Sequence, residues 1–399
     1  MKEFTNFTFH MQTDILFGRD TEKSVAEMIK KHGGTKVMMV YGGGSIKKSG
    51  LYDTVVGALK ADSIPFVELS GVKPNPRRTL VEQGLKLAQS EGVDFLLAVG
   101  GGSTIDTSKA IALGLANDGE YWKFYWEDPP TKMAPVGTIH TISAAGSETS
   151  GSTVLLDDIG GRGKKGLMYT VCRPSFAIMN PELTYTVDKY QTAAGVTDII
   201  AHTVMRYFTK PASFLGDQYA EATFRTVLKY GPIALAHPND YEARAELMLA
   251  ASFSHNDLTG IGRSSLRKGS EHDLERQLSG RYDTAHGAGL AVIMPAWLQY
   301  IVNHGEDYHI ARIAQFAENV FEVNSSIGNS TVVANEGLER FRKFIKVIGM
   351  PTTFKELGIP REDLKKVIDD CPCDENGVII GFMDLNKDAV SEIFTSVVE

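Results

Sequence analysis

Apolar positions follow two different rhythms along this chain, and the rhythm changes near residue 190. Before that point, short continuous apolar runs alternate with stretches of helical spacing. Residues 36–41 (KVMMVY) form such a run, ended by Gly42-Gly43-Gly44-Ser45. Leu51, Val55, Val56 and Leu59 then recur in helical register, which predicts a strand, a glycine turn and a helix. Residues 65–69 give a second strand, followed by GVKPNPR and a helix over 79–90. A third, residues 94–99 (DFLLAV), ends at Gly100-Gly101-Gly102-Ser103 with a helix opening at 104–109. The pattern loosens into an aromatic and acidic surface loop over 118–134 and tightens again at 135–142 (PVGTIHTI). A small-residue turn, SAAGSETSGST, comes next, and residues 163–186 read as a hairpin or meander carrying Lys164 and Lys165.

Strands without in/out alternation, joined through helices, predict a parallel sheet covered on both faces. From Tyr190 onward helical periodicity takes over and strand-like runs are nearly absent. The expectation is an α/β domain with a parallel, Rossmann-like sheet over residues 1–190, then an all-α domain over 191–399, with a hinge and a cleft at the boundary.

Two glycine triplets at the carboxyl ends of successive strands leave backbone N–H groups bare of Cβ atoms. Together with the helix N-terminus that follows, they can approach a phosphate closely, and a dinucleotide is the natural guest. The second half offers different chemistry. Residues 195–208 (GVTDIIAHTVMRYF) place Asp198 and His202 four apart, with Ile199, Ile200, Val204, Met205 and Phe208 at helical spacing, so the carboxylate and the imidazole share a face. Further on, His272 and His286 are separated by thirteen residues within EHDLERQLSGRYDTAHG. One oxygen and three nitrogens suit Fe(II) or Zn(II), with room left for a substrate oxygen.

Composition narrows the classes. A chain of 399 residues, 43% apolar, is long enough for two cored domains. A net charge of −8, from 41 basic and 49 acidic residues, with no basic run, argues against a nucleic-acid partner. No eighteen apolar residues run uninterrupted and no signal-peptide pattern opens the chain, so neither a membrane nor a secreted protein is expected, and a cytoplasmic location follows by default. Cys172, Cys371 and Cys373 are too few for a disulfide framework, and the Cys371-Pro372-Cys373 pair reads as a polar loop. Of the other histidines, His10 is expected in an N-terminal strand, His32 at a helix end, His140 in a strand, His237 before a proline, and His304 and His309 on an exposed stretch. His255 ends a helix and is open to either pocket lining or core packing.

Over nearly its whole length the sequence resembles the iron-containing, or group III, alcohol dehydrogenases. The likeness rests on ILFG near Leu16, GGGSIKKSGLYD, GVKPNPR, GGGSTIDTSKAIA, AAGSET, NPELTYT, DIIAH and HDLERQLSGRYDTAHG, and is strongest to the NADPH-dependent butanol dehydrogenase and aldehyde reductase branch. The resemblance implies that Asp198, His202, His272 and His286 hold the metal, Fe(II) first and Zn(II) as the alternative. It implies that Gly101, Gly102 and Ser103 line the pyrophosphate, that Asp106 lies near the nicotinamide end, and that Asn75, Thr141, Ser150, Lys164 and Leu183 flank the cofactor. Where NAD-preferring members carry an acidic residue after the first strand, this chain has Gly43, Gly44 and Ser45, which favours NADP(H). Hydride would pass reversibly between nicotinamide C4 and the carbonyl carbon of a small aldehyde, in a homodimer joined around residues 8–17.

Three departures stand out. Arg276 occupies the place of a histidine thought to contact substrate or cofactor. SLRKGSE before His272 lacks the usual Gly-Asp-Trp lead-in, and Ala145 replaces a common threonine. A cation at residue 276 near the metal would attract an anionic substrate or lower the pKa of a bound alcohol. Rival readings are a glycerol dehydrogenase or dehydroquinate synthase-like enzyme on the same plan, and a non-catalytic NADP(H)-binding protein.

Overall fold

The computed structural model describes residues 6–126, 129–210, 212–263 and 269–399. Six apolar runs form one all-parallel sheet: β1 (Asp14–Phe17), β2 (Val37–Tyr41), β3 (Phe66–Leu69), β4 (Phe95–Gly100), β5 (Val136–His140) and, after the antiparallel hairpin β6 (Ser152–Asp157) and β7 (Gly163–Met168), β8 (Phe176–Met179). The spatial order is β1-β8-β5-β4-β2-β3. Strands β2, β4, β5 and β8 are buried at every position, because helices lie on both faces. Against one face pack α1 (Val25–Lys31), α2 (Ser45–Lys48) and α3 (Leu51–Ala61), through Val25, Ile29, Ile46, Val55 and Leu59; against the other pack α4 (Arg78–Glu91) and α5 (Gly102–Ala116), through Val81, Leu85, Ile111 and Leu113.

The chain leaves β2 outward to β3, then returns to the opposite side of β2 as β4. The strand order therefore reverses between β2 and β4, and ligands of open α/β sheets bind at the carboxyl ends beside such a reversal. The two glycine turns follow these two strands.

The remaining helices are α6 (Lys189–Tyr207), α7 (Phe214–Ala236), α8 (Tyr241–His255), α9 (Ser270–Tyr282), α10 (His286–His304), α11 (Asp307–Phe321), α12 (Ser330–Val347), α13 (Leu364–Asp369) and α14 (Lys387–Thr395). None of the described helices is long and apolar enough to cross a membrane. The chain forms two compact units. The sheet and its helices, from His10 to Val187, include the segment His237–Asn256; the second unit is built mainly from Asp188–Ala236 and Asp257–Glu399.

Helix α8 thus joins the α/β unit, although it lies well beyond the expected boundary. The reason is local. Gly146 in the turn after β5 has φ +64, and a Cβ there would collide with the carbonyl oxygen of Ala251 on α8. Thr149 Oγ1 donates to Ser252 O at 3.2 Å, and the buried Arg173 donates from Nη1 to Thr149 O (2.6 Å) and from Nη2 to Asn256 O (3.1 Å). Helical spacing alone does not say which unit a helix serves.

Other expectations are also corrected. The stretch after Met168 is no meander: β8 enters the main sheet between β1 and β5, while the hairpin partner of β7 is β6, in the stretch that had read partly as a turn. The aromatic segment is no surface loop. Trp122–Tyr125 is a 3-10 helix, and Tyr121, Phe124 and Tyr125 are buried in the core beside α4 and α5; Glu127 and Asp128 lie outside the described residues. His10 is exposed and precedes the first strand, which begins at Asp14. His309 is buried, with Nδ1 accepting from Glu306 N at 3.1 Å and Nε2 donating to Phe382 O at 3.0 Å.

Candidate active site

At the carboxyl edge of the sheet, loops after β2, β3, β4 and β5 are tied to one another. Gly71 N donates to Gly42 O (3.0 Å), and Thr141 N donates to Gly100 O (3.2 Å). A Cβ on Gly101 would lie 2.5 Å from Ile142 Cγ2, and one on Gly102 3.4 Å from Ala145 Cβ, so the second glycine turn is pressed against the turn after β5. Gly43 and Gly44 face open space, and Gly44 caps α2, whose last turn carries Lys47 and Lys48. Asn75, buried and at φ +53, accepts from Lys164 Nζ at 2.9 Å, which joins GVKPNPR to the β6–β7 hairpin. Leu183 packs on the α1–α3 side of the sheet. Ser103 lies in the first turn of α5.

Beneath this edge lies a buried polar knot. Asp106 accepts from Ser147 Oγ (2.6 Å) and Val154 N (3.0 Å), and burial raises its pKa above the usual carboxylate range. Three residues along α5, Lys109 Nζ donates to the carbonyls of Ser147 (2.7 Å), Ser150 (2.9 Å) and Ser152 (2.7 Å). Burial pulls its pKa down to about 8. Ser150 therefore serves here through its backbone carbonyl and through Oγ, which accepts from Ser152 N at 3.2 Å. Lys109 and Ser147 had not been singled out in the sequence; the only signal was a lysine three residues after Asp106, where the helix turns apolar. His255 closes the same turn, with Nδ1 donating to Ala145 O at 2.5 Å.

The second unit supplies the other chemistry. Asp188 caps α6 by accepting from Gln191 N at 2.8 Å, and the helix is buried from Thr192 to Tyr207, so Asp198 and His202 sit on a central, fully covered helix. Their side chains approach to 3.5 Å. Helix α9 brings His272 beside them. One donor atom from each of Asp198, His202 and His272 lies within 4.8 Å of the others, and all three residues are buried. The rings of His202 and His272 have centroids 5.2 Å apart, and His286, the first residue of α10, has its ring 5.4 Å from that of His272. His272 Nε2 is buried without a hydrogen-bond partner among the described residues. A buried imidazole nitrogen so placed, with a carboxylate and a second imidazole at hand, fits a divalent transition metal by donor type and spacing.

Two acids that had not been singled out flank these histidines. Glu271 Oε1 lies 3.0 Å from His272 Nδ1, and the Glu275 carboxylate meets His286 Nδ1; both acids are fully buried. Arg276 turns to Asp273, with Nη1 donating to Oδ1 at 2.8 Å. Residues 265–268 of the unusual lead-in lie outside the described residues.

Residues 12–181 match the family model described as iron-containing alcohol dehydrogenase, and residues 192–398 match its Fe-containing alcohol dehydrogenase C-terminal model. The NADH-dependent butanol dehydrogenase A of Clostridium acetobutylicum is 39% identical over 392 residues, 98% of each chain. The NADPH-dependent aldehyde reductase YqhD of Escherichia coli is 33% identical and covers 89% of each. The crystal structure of NADH-dependent butanol dehydrogenase A from Thermotoga maritima superposes with a TM-score of 0.92 at 35% identity, over the full length of both chains. The chain belongs to the iron-containing alcohol dehydrogenase family. Its activity is accordingly that of an alcohol dehydrogenase or aldehyde reductase of this family.

Proposed function

We propose that the protein is a metal-dependent, NADP(H)-preferring reductase of small aldehydes, acting reversibly on the corresponding primary alcohols. The observation that carries the metal assignment is the convergence of Asp198, His202 and His272 donor atoms within 4.8 Å, with the His286 ring centroid 5.4 Å from that of His272. A divalent ion held there supplies Lewis-acid polarisation of a carbonyl oxygen. The chain's own residues do the rest: the buried walls around α6 and α9 keep water from the donor set, and Asn75, Lys164 and the glycine turns bind and orient the dinucleotide. Arg276, held by Asp273, is the candidate substrate contact.

The NADP(H) preference is supported by Gly43, Gly44 and Ser45, which carry no negative charge, and by Lys47 and Lys48 just beyond. Glu68, on the adjacent strand β3, is committed to the hydroxyls of Tyr41 (2.7 Å) and Tyr52 (2.8 Å). The relatives' names include both NADH- and NADPH-dependent enzymes, so the cofactor has to be measured. A homodimer is part of the same reading: Phe7, Phe9 and Met11 alternate along the N-terminal stretch and are exposed, and light scattering of the pure protein tests it.

The deciding experiment is metal analysis of the purified protein, paired with an aldehyde panel under NADPH and NADH. Aldehyde-dependent oxidation of NADPH at higher kcat/KM than NADH, lost on chelation and restored by Fe(II) or Zn(II), supports the proposal. Stoichiometric cofactor binding with no turnover after metal loading would make it a binding protein. Turnover confined to polyols would instead favour the glycerol dehydrogenase reading.

A further inference from the structure

We propose that Glu271 and Glu275 are positioning residues for the metal: each fixes the Nδ1 of one histidine, so that Nε2 of that ring is the nitrogen offered to the ion. The inference rests on the metal-ligand reading of Asp198, His202, His272 and His286 given above.

Helix α9 carries both acids. Glu271 precedes His272 and meets its Nδ1 at 3.0 Å; Glu275, one turn on, reaches the start of α10 and meets His286 Nδ1. An ionised carboxylate has only lone pairs to offer, so the proton of each facing imidazole belongs on Nδ1. Nε2 then holds the ring's free lone pair. His272 agrees with this, because its Nε2 is the buried atom without a hydrogen-bond partner among the described residues. One helix therefore sets the tautomer of two rings that belong to different helices.

The surroundings make room for these acids. Ser279 Oγ donates to Glu275 Oε2 at 3.2 Å. A Cβ on Gly289 would lie 2.6 Å from Glu275 Oε1 and 2.8 Å from its Cγ, and a Cβ on Gly269 would lie 2.8 Å from Glu271 Oε1. Two positions without side chains thus border the two carboxylates. Fully buried acids are costly to keep unless they are paired. Here each faces a ring nitrogen, an arrangement that orients a metal-binding histidine.

The test uses full-length protein stripped by a chelator and titrated with Zn(II) against a chromophoric competitor, and with Co(II) followed by its visible spectrum. Glu271→Leu and Glu275→Leu should each weaken Zn(II) binding by about 10–100-fold and alter the Co(II) spectrum, with NADPH binding retained. Glu271→Gln and Glu275→Gln, which keep an acceptor oxygen, should recover part of the loss. Gly289→Ala, which displaces Glu275 without changing charge, should weaken binding as well. Zn(II) affinity in both Leu variants within about threefold of the parent, below the range expected for such partners, would overturn the inference. So would a loss that Gln does not relieve, which would mark a packing role. If the parent binds no ion, or His286→Ala binds as tightly as the parent, the metal-site reading itself falls. If the parent binds and the Leu variants match it, only the positioning role falls.

Discussion

Ser147 Oγ donates to Asp106 Oδ1 at 2.6 Å, which ties the turn after β5 to the helix that follows the second glycine turn. Removing this donor leaves a buried carboxylate with one fewer partner, a change worth about 1–3 kcal/mol. Ser147→Ala should lower the thermal midpoint by a few degrees and weaken NADPH binding several-fold, read by cofactor fluorescence. Unchanged binding would separate the knot from the cofactor edge.

Lys109 titrates at about 8 in the folded protein against 10.5 for an ordinary lysine, because it is buried. As pH rises the folded state releases this proton first, so between about 8 and 10.5 the unfolded chain binds more protons and this group's contribution to stability grows. It is largest above about 10.5 and is lost as pH falls through about 8; the full change is about 3–4 kcal/mol. The thermal midpoint of the parent should therefore gain on that of Lys109→Met between about pH 7 and pH 9.5. A flat difference across that range contradicts the assignment.

Asp198→Asn and His202→Ala each remove one donor from the buried cluster. Zinc content after reconstitution should drop well below one per chain, and aldehyde reduction should fall by at least about 100-fold, a loss of roughly 3 kcal/mol in transition-state stabilisation. NADPH should still bind, since these residues belong to the unit that lacks the glycine turns.

Gly44 caps α2 and faces open space, so Gly44→Asp fits sterically and supplies a favoured capping side chain. Stability should hold or rise slightly. Under the proposed NADP(H) preference its carboxylate would oppose a 2′-phosphate, and the NADPH/NADH ratio of kcat/KM should move toward NADH by about tenfold or more, the equivalent of about 1.4 kcal/mol.

Gly146→Ala combines a left-handed backbone with a clash against Ala251 O and a 3.0 Å approach to His255 Cβ. The loss should be about 2–4 kcal/mol, and differential scanning calorimetry should show it in the α/β unit.

Much of the plan was legible because it is written in periodicity. Continuous apolar runs ending in glycine gave β2 and β4, and the i, i+4 spacing of Asp198 and His202 on an apolar stretch gave the face they share. What escaped depends on contacts between segments distant in sequence. Nothing near residue 250 announces that α8 seats on Gly146, Thr149 and Arg173. Strand β6 was obscured because its first residues continue a run of Ser, Thr and Gly that reads as a turn. The aromatic segment around Trp122 looked like surface because its rings are interleaved with acids, yet three of them reach the core. Glu271 and Glu275 had the composition of an ordinary solvated helix face, and contacts with segments distant in sequence, such as α10 against Glu275, are what bury them.

The placement of α8 bears on how the protein is made. The carbonyls of Thr149 and Asn256 that Arg173 grips come from both ends of a long excursion of the chain. The α/β unit therefore cannot be completed until residue 256 has left the ribosome, after α6 and α7 have already been synthesised. A clone stopped at residue 190 would expose the bare seat of a missing helix and should be recovered as insoluble or protease-sensitive material.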